Sequence, residues 1–156
     1  MNTCRCMLNF YRFAGRKFST VSSINVGDKV EMQRIFTEAD MVSFTALTGD
    51  DNPIHTDSAY AAKSIFKKPI VPGVAVVGLL SGLIGGRLPG YGTIFVSLSL
   101  KFKSPLYFNE EVTASAIVKS IDKPRAVIDL SCVATKSKRE LLSGECGIVL
   151  PKELCS

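Results

Sequence analysis

One uncharged stretch, residues 72–86, limits most strongly what this chain can fold into. Its sequence, PGVAVVGLLSGLIGG, contains no charged side chain and is apolar on nearly every side. It is too short to cross a bilayer, so it predicts a helix buried in a folded domain. A Pro-Gly pair at its start and a Gly-Gly pair at its end favour the helix over a strand, the alternative that its β-branched residues leave open. Gly78 and Gly82, one turn apart, predict a face that a sheet approaches closely.

Four later segments alternate between apolar and polar side chains. They cover residues 94–102, 112–118, 126–134 and 142–150 and are separated by turn sequences. Period-2 alternation is typical of strands with one buried face, so these segments predict an antiparallel meander. The apolar set of the first segment, which we expect to face the core, is Ile94, Val96, Leu98, Leu100 and Phe102.

The region before the uncharged stretch predicts one strand and two helices. Residues 27–36 form the strand; a helix then begins at Thr37, with Asp40 three positions on, and ends at Gly49. Its inward face is expected to carry Met41, Phe44, Ala46 and Leu47. A shorter helix covers residues 56–66. Together these elements predict a single α+β hot-dog domain, residues 24–156, in which a five-stranded antiparallel sheet wraps around the central apolar helix.

Such a sheet leaves exposed edges, which favour pairing into a homodimer. Cys132 and Cys146 lie at apolar positions of predicted strands and are expected in the core. The cysteines show no spacing typical of disulfides or zinc, and one histidine among scattered acids predicts no metal site or cofactor.

Most of the formal charge of +5 lies at the N-terminus. Residues 1–27 contain four basic side chains and no acid, which leaves a net charge of +1 for the rest of the chain. Acids and bases are interspersed there, so a nucleic-acid-binding face is not expected. The basic, acid-free start predicts a mitochondrial transit peptide, residues 1–18 (to about 23), with cleavage after Phe18 and a protein of the mitochondrial matrix. A disordered basic tail is the alternative.

The sole histidine of the chain lies in the segment GDDNPIH, residues 49–55. Asp50 and His55 there form a carboxylate–imidazole pair suited to proton transfer. Asn52 and Pro53 restrict the backbone between them, and Asp51 is the weaker acid candidate. The same sequence is also good turn chemistry, so spacing alone leaves a structural turn as an equal alternative.

The longer segment LTGDDNPIHTDSAYA resembles the signature of the MaoC-like, R-specific enoyl-CoA hydratases and 3-hydroxyacyl-thioester dehydratases. The shared pattern is Ser/Thr-Gly-Asp-x-Asn-Pro-aliphatic-His, and the resemblance extends from about residue 26 to 150. It is strongest to the mitochondrial 3-hydroxyacyl-[acyl-carrier-protein] dehydratases. The resemblance implies reversible dehydration of (R)-3-hydroxyacyl thioesters to trans-2-enoyl thioesters, with acyl carrier protein or CoA as the carrier, in mitochondrial fatty acid synthesis.

The resemblance also implies roles for individual residues. Asp50 and His55 are the catalytic dyad, and Asn52 organises the loop or binds the water of the site. The backbone N–H of Gly73 stabilises the negative charge that develops on the thioester oxygen, although Pro72 stands where many members have histidine. Ser81 and Ile84 match positions that line the acyl pocket, with simple core packing as the alternative.

Two other functions remain open on the sequence. Hot-dog folds also host acyl-thioester hydrolases, and a non-catalytic acyl-binding subunit could keep the same fold. Lys63, Lys67, Lys68 and Arg87 are candidates for contacts with a phosphopantetheine carrier, with solvated surface lysines as the simpler alternative.

Overall fold

A five-stranded antiparallel sheet and one apolar helix form the core of the domain. The computed structural model describes residues 22–155, so the predicted leader, residues 1–18, lies outside the described residues. In chain order the elements are β1 (Lys29–Ile35), α1 (Glu38–Thr48), α2 (Pro53–Thr56), α3 (Ser58–Lys63), α4 (Gly73–Gly86), β2 (Ile94–Phe102), β3 (Glu111–Asp122), β4 (Arg125–Ala134), β5 (Glu140–Val149) and a 3₁₀ turn (Lys152–Leu154).

The uncharged stretch forms the helix α4, as predicted. Val76, Leu80 and Leu83 of α4 have exposed fractions of 2% or less and belong to one core cluster with the inward residues of the sheet. On β3, β4 and β5 the alternating apolar positions are those predicted, and all of them are buried. A sheet wrapped around a central helix is the hot-dog fold, which confirms the predicted architecture.

The order of the strands differs from the predicted meander. The sheet runs β1-β3-β4-β5-β2, so β3, β4 and β5 form a meander while β2 crosses to pair with β5 at the far edge. The meander prediction, in which β2 and β3 are neighbouring strands, was therefore wrong for β2. Alternation within a strand specifies which face is buried and carries no information about the neighbouring strand, so the pattern could not distinguish the two orders.

A bulge in β2 also changes which of its side chains face inward. Phe95 pairs with Ile148, but the register then shifts, and Ser97 pairs with Gly147. An extra residue at a bulge moves the following side chains to the other face. Phe95 accordingly packs against the core, whereas Ile94 and Val96 of the predicted inward set are 60% and 52% exposed.

Leu98 and Phe102 on the same edge strand are also exposed in the single chain, at 43% and 59%. Of the predicted inward set, Leu100 alone is partly buried and packed against the core. After the bulge, Leu98 and Phe102 pair with the buried Cys146 and Leu142, so they lie on the inner face of the sheet as predicted but stay exposed at its open edge.

Two predicted contacts of the helices were wrong. Gly78 and Gly82 face away from the sheet, with nothing within 4 Å of a Cβ built on either, because α4 turns Val76, Leu80 and Leu83 toward the strands. On α1 only Met41 is buried.

Leu47 of α1, predicted to face inward, is 85% exposed. The boundaries of α1 agree with prediction: Thr37 and Asp40 form a capping box, and Gly49 ends the helix. The helix predicted over 56–66 is shorter, since α3 begins after the cap residue Asp57 and ends at Lys63. Within residues 22–155, no helix combines the length and apolar character needed to cross a bilayer.

The buried cysteines give a prediction about thiol reactivity. Burial raises the pKa of Cys132 and of Cys146 to about 12, so both thiols stay protonated and unreactive at pH 8. Cys155 is only partly buried. In a Cys4→Ser/Cys6→Ser variant, we expect Ellman's reagent to label Cys155 first and the two core cysteines only after denaturation, as read by mass spectrometry of the labelled peptides. Rapid labelling of either core cysteine in the native protein would contradict this packing.

Candidate active site

The loop that carries the predicted dyad begins where α1 ends. Gly49 adopts a left-handed conformation (φ +74°), and its N–H donates to the carbonyl of Thr45. The Thr45 hydroxyl donates to the carbonyl oxygen of Asp50 at 2.9 Å, and the N–H of Asp50 donates to the Thr48 hydroxyl at 3.2 Å. Residues at the end of α1 therefore hydrogen-bond to both the backbone N–H and the backbone carbonyl of Asp50.

A one-turn helix, α2, brings the imidazole into place. Asn52 is its N-cap: the side-chain oxygen accepts from the N–H of Ile54 at 3.2 Å, and the main-chain oxygen accepts from the N–H of His55 at 3.0 Å. Pro53 occupies the first helical position, which favours the same start. Asn52 thus shapes the loop, which is one of the two roles considered for it.

The imidazole of His55 is fixed by a backbone carbonyl. Nδ1 lies 2.7 Å from the carbonyl oxygen of Ile70. A carbonyl can only accept, so the hydrogen is assigned to Nδ1, and Nε2 of the neutral ring carries the free lone pair. His55 is partly buried and lines a cavity of about 560 Å³, together with Thr45 and Glu38 of α1 and with Phe108. A histidine in this state can accept a proton at Nε2 and return it.

Asp50 lies on the same loop but does not hydrogen-bond to the ring. Its carboxylate accepts from the N–H of Asn52 at 3.3 Å, and no hydrogen bond joins it to His55 anywhere in residues 22–155. Asp50 is partly buried, while Asp51 beside it is exposed. The loop therefore carries a carboxylate and an imidazole five positions apart in the sequence, each held by a different backbone group.

Gly73, the predicted oxyanion donor, is the first residue of α4. Its N–H is one of those that a helix start leaves without an intrahelical partner, and Pro72 before it provides no side-chain cap. A Cβ built on Gly73 would come within 2.6 Å of the Phe102 ring, so any larger residue here would displace that ring. A cavity of about 360 Å³ adjoins it, with mainly apolar walls that include Phe66, Ile70 and Phe102.

Ile70 lies between His55 and the cavity beside Gly73 and contacts both. It lines the cavity beside Gly73, while its carbonyl oxygen binds the imidazole of His55. Sequence reasoning missed both Ile70 and Thr45. The first acts through a main-chain oxygen, which every residue has, and the second through a hydroxyl whose partner is set by the path of the loop.

The two predicted acyl-pocket residues lie apart from each other. Ile84 is 1% exposed and belongs to the core cluster, whereas Ser81 is exposed on the face of α4 that the sheet does not cover. Val74, Gly78 and Gly82 also lie at positions of α4 that remain accessible. A role for Ser81 and Ile84 in substrate binding stays a prediction. Among the described residues, no three His, Cys, Asp or Glu side chains lie together as metal ligands would.

Comparison with known proteins agrees with this combination of fold and loop. The sequence matches the MaoC like domain family over residues 15–138. It is 38% identical, over 134 residues, to an (R)-specific enoyl-CoA hydratase of Aeromonas caviae, an alignment that covers 85% of this chain and 99% of the relative. The chain belongs to the MaoC-like family.

A plant relative and a solved structure extend the comparison. The mitochondrial 3-hydroxyacyl-[acyl-carrier-protein] dehydratase of Arabidopsis thaliana is 32% identical over 143 residues, which cover 87% of this chain and 85% of the relative. The structure of the (R)-hydratase from A. caviae involved in PHA biosynthesis superposes with a TM-score of 0.78 at 36% identity, covering 82% of this chain and 98% of that one.

The bond from Thr45 to Asp50 predicts a change in stability. Thr45→Val keeps the side-chain volume but removes the donor, so we expect the free energy of unfolding to fall by about 1 kcal/mol. The measurement is urea denaturation followed by circular dichroism. Ser43→Ala, which removes a hydroxyl bonded only within the same helix, is the control and should change stability by less than about 0.5 kcal/mol. Equal effects of the two variants would show that Thr45 does not hold the loop.

Proposed function

We propose that this protein is a hydro-lyase that reversibly dehydrates (R)-3-hydroxyacyl thioesters to trans-2-enoyl thioesters. The observation that carries the proposal is the loop on which Asp50 and the fixed imidazole of His55 lie close in sequence, in a MaoC-like domain. Relatives named as (R)-specific enoyl-CoA hydratase, 3-hydroxybutyryl-CoA dehydratase and 3-hydroxyacyl-[acyl-carrier-protein] dehydratase support it.

The reaction needs two proton transfers on one side of the substrate. One group removes the proton from C2 of the acyl chain, and the other protonates the hydroxyl that leaves C3 as water. Nε2 of His55 and the carboxylate of Asp50 supply these groups, and in hydration the same pair holds and activates the water. Both act on one substrate and one water, so the two roles are assigned to the pair and not to either residue alone.

Loss of the C2 proton places negative charge on the thioester oxygen. The free N–H of Gly73, at the positive end of the α4 dipole, is suited to stabilise that charge. The apolar cavity beside Gly73 accommodates part of the acyl chain or its linker. Asn52, Ser81 and Ile84 are proposed to contact the substrate or its water, as the family resemblance implies.

The acyl carrier is proposed to be acyl carrier protein, with CoA as the second possibility. Within residues 22–155, no ion pair is made by Lys63, Lys67 or Lys68. Lys67 and Lys68 directly follow Phe66, which lines the cavity beside Gly73. These unpaired cations suit the phosphate of a phosphopantetheine arm. The basic start of the chain and the mitochondrial plant relatives support a location in the mitochondrial matrix, in fatty acid synthesis.

A homodimer is proposed because the edge strand β2 is apolar and exposed. Ile94, Val96, Leu98 and Phe102 are each at least 43% exposed in the single chain, and Val74 of α4 is 64% exposed. An unprotected apolar edge favours pairing with another chain, and antiparallel pairing of β2 with its twofold copy would satisfy it. Since Phe102 and Val74 line the cavity beside Gly73, the partner would also cover one side of that cavity.

Kinetics on crotonyl thioesters test the reaction and the dyad. With crotonyl-CoA and crotonyl-acyl carrier protein, we expect the enoyl absorbance to fall without release of free thiol. His55→Ala and Asp50→Asn should each lower kcat/KM by about 100-fold or more, since each removes a proton-transfer group.

The exposed neighbour Asp51→Asn is the control and should keep activity near that of the wild type. Thiol release would instead identify an acyl-thioester hydrolase. Full activity of both dyad variants would contradict the assignment of the site, and tight acyl-thioester binding without turnover would identify a non-catalytic acyl-binding subunit.

Two substitutions that introduce the same side chain into β2 test the dimer. Leu98 pairs with the buried Cys146 on the inner face of the sheet, and Ser99 pairs with Glu145 on the outer face. Leu98→Asn buries an amide in the proposed interface, so we expect the dimer dissociation constant to rise about tenfold or more in sedimentation equilibrium. Ser99→Asn should leave it nearly unchanged. A wild-type protein that stays monomeric at micromolar concentration would refute the proposal.

A further inference from the structure

The carbonyl that holds His55 belongs to a segment without regular secondary structure. Ile70 lies between α3 and α4, and its own N–H donates to the carbonyl of Ile54 at 3.3 Å. Two further contacts tie this segment to the stretch before β3: Ile70 forms an isolated antiparallel bridge with Tyr107, and the N–H of Val71 donates to the carbonyl of Leu106 at 2.8 Å. The position of the Ile70 oxygen therefore depends on residues 105–110 as well as on the bond to Ile54.

Residues 105–110 are irregular too, and one arginine binds them twice. One terminal nitrogen of the Arg139 guanidinium donates to both carboxylate oxygens of Glu110, at 2.8 and 2.7 Å, and the other terminal nitrogen donates to the carbonyl of Pro105. Glu110 in turn accepts from the N–H of Tyr107 at 3.4 Å. The side chains of Arg139 and Glu110 are only 31% and 28% exposed, so this pair is better shielded from solvent than an ordinary surface ion pair.

Arg139 itself is anchored to the sheet. It directly precedes β5, and its carbonyl accepts the N–H of Ala134, the last residue of β4, at 2.9 Å. The hydroxyl of Tyr107 adds a third contact between residues 105–110 and the segment before α4, by donating to the carbonyl of Phe66 at 3.1 Å. A continuous series of contacts thus runs from the β4–β5 hairpin to the segment that contains Ile70.

We propose that the Arg139–Glu110 pair is a positioning device for the imidazole of His55, an inference that rests on the function proposed above. The pair fixes residues 105–110 to the hairpin, the bridge at Tyr107 fixes Ile70, and the Ile70 carbonyl keeps the hydrogen on Nδ1 and the lone pair on Nε2. Loss of the pair lets the carbonyl move away from Nδ1. The ring then samples other orientations and the second neutral tautomer, in which Nε2 carries the hydrogen and cannot accept a proton.

The alternative hypothesis is that the Arg139–Glu110 pair only stabilises the fold. The positioning hypothesis and this alternative predict different results for the state of the His55 ring. His55 is the single histidine of the chain, so a protein labelled with ¹⁵N-histidine gives one imidazole spin system without assignment. In the wild type at a pH where the ring is neutral, we expect the ¹⁵N shifts of the tautomer protonated on Nδ1. In Arg139→Gln and Glu110→Gln, the two ¹⁵N shifts should move toward each other as the second tautomer becomes populated.

Kinetics on the same full-length variants provide the second readout. We expect kcat for crotonyl-thioester hydration to fall about tenfold with KM changed less than about threefold, and the pH profile of kcat/KM to differ from that of the wild type. Arg139→Lys keeps the charge but cannot bind Glu110 and Pro105 together, so it should give an intermediate effect. The double variant Arg139→Gln/Glu110→Gln should be no worse than the poorer single variant.

Lys119→Gln is the control because Lys119 pairs with Glu145 and Asp129 on the same sheet, away from residues 105–110. It should change neither the imidazole spectrum nor the pH profile. The proposal would be overturned if the folded Arg139 and Glu110 variants kept the wild-type ¹⁵N shifts and pH profile. Any loss of activity would then be proportional to the fraction of unfolded protein.

If Arg139→Gln does not fold, Glu110→Gln and Arg139→Lys decide the question by the same two readouts. The spectrum needs no substrate, so it tests the positioning of the ring even if the proposed reaction fails. An inactive wild type with a fixed Nδ1 tautomer would count against the function alone.

Discussion

The packing of α4 against the inner face of the sheet is the interaction on which the rest of the structure depends. Leu80 and Leu83 are fully buried there, and each such side chain contributes roughly 2 kcal/mol through removal from water. This packing also sets where α4 begins. Gly73 therefore lies beside Phe102, and Ile70, three residues earlier, lies within reach of His55. The core thus determines the place of the site although no dyad residue belongs to it.

The site itself consists of loops attached to that rigid core. Thr45 of α1 hydrogen-bonds to the backbone of Asp50, and Ile70, in the segment before α4, hydrogen-bonds to His55. Gly73 is the first residue of α4. The proposed proton transfer requires these groups at defined separations, yet a substrate must also enter and leave. Short hydrogen-bonded loops on a packed scaffold meet both requirements, and the exposed apolar residues of β2 and α4 are the surface on which the proposed dimer would form.

Much of the fold followed from local pattern. The capping box at Thr37, the glycine that ends α1, the apolar helix and three of the four later strands depend on interactions between residues close in sequence, or on burial of one face. The position of β2 next to β5 and the bulge after Phe95 depend on pairing between distant strands, so alternation alone predicted the wrong neighbour. Exposure of Leu47 and Gly78 likewise reflects which surfaces of the helices the sheet can reach.

For the site, the sequence by itself determined which side chains are proposed to react. One histidine, with Asp50 five positions before it and a proline between them, is a local motif, and the motif matched a family. Only the tertiary structure decided how those side chains are held. The Ile70 carbonyl binds Nδ1 of His55, and Thr45 binds the backbone of Asp50. Arg139 and Glu110 hold residues 105–110, which contact the segment that contains Ile70. The physical reason is that a main-chain oxygen has no sequence signature, and its partner is set by chain segments that meet only after folding.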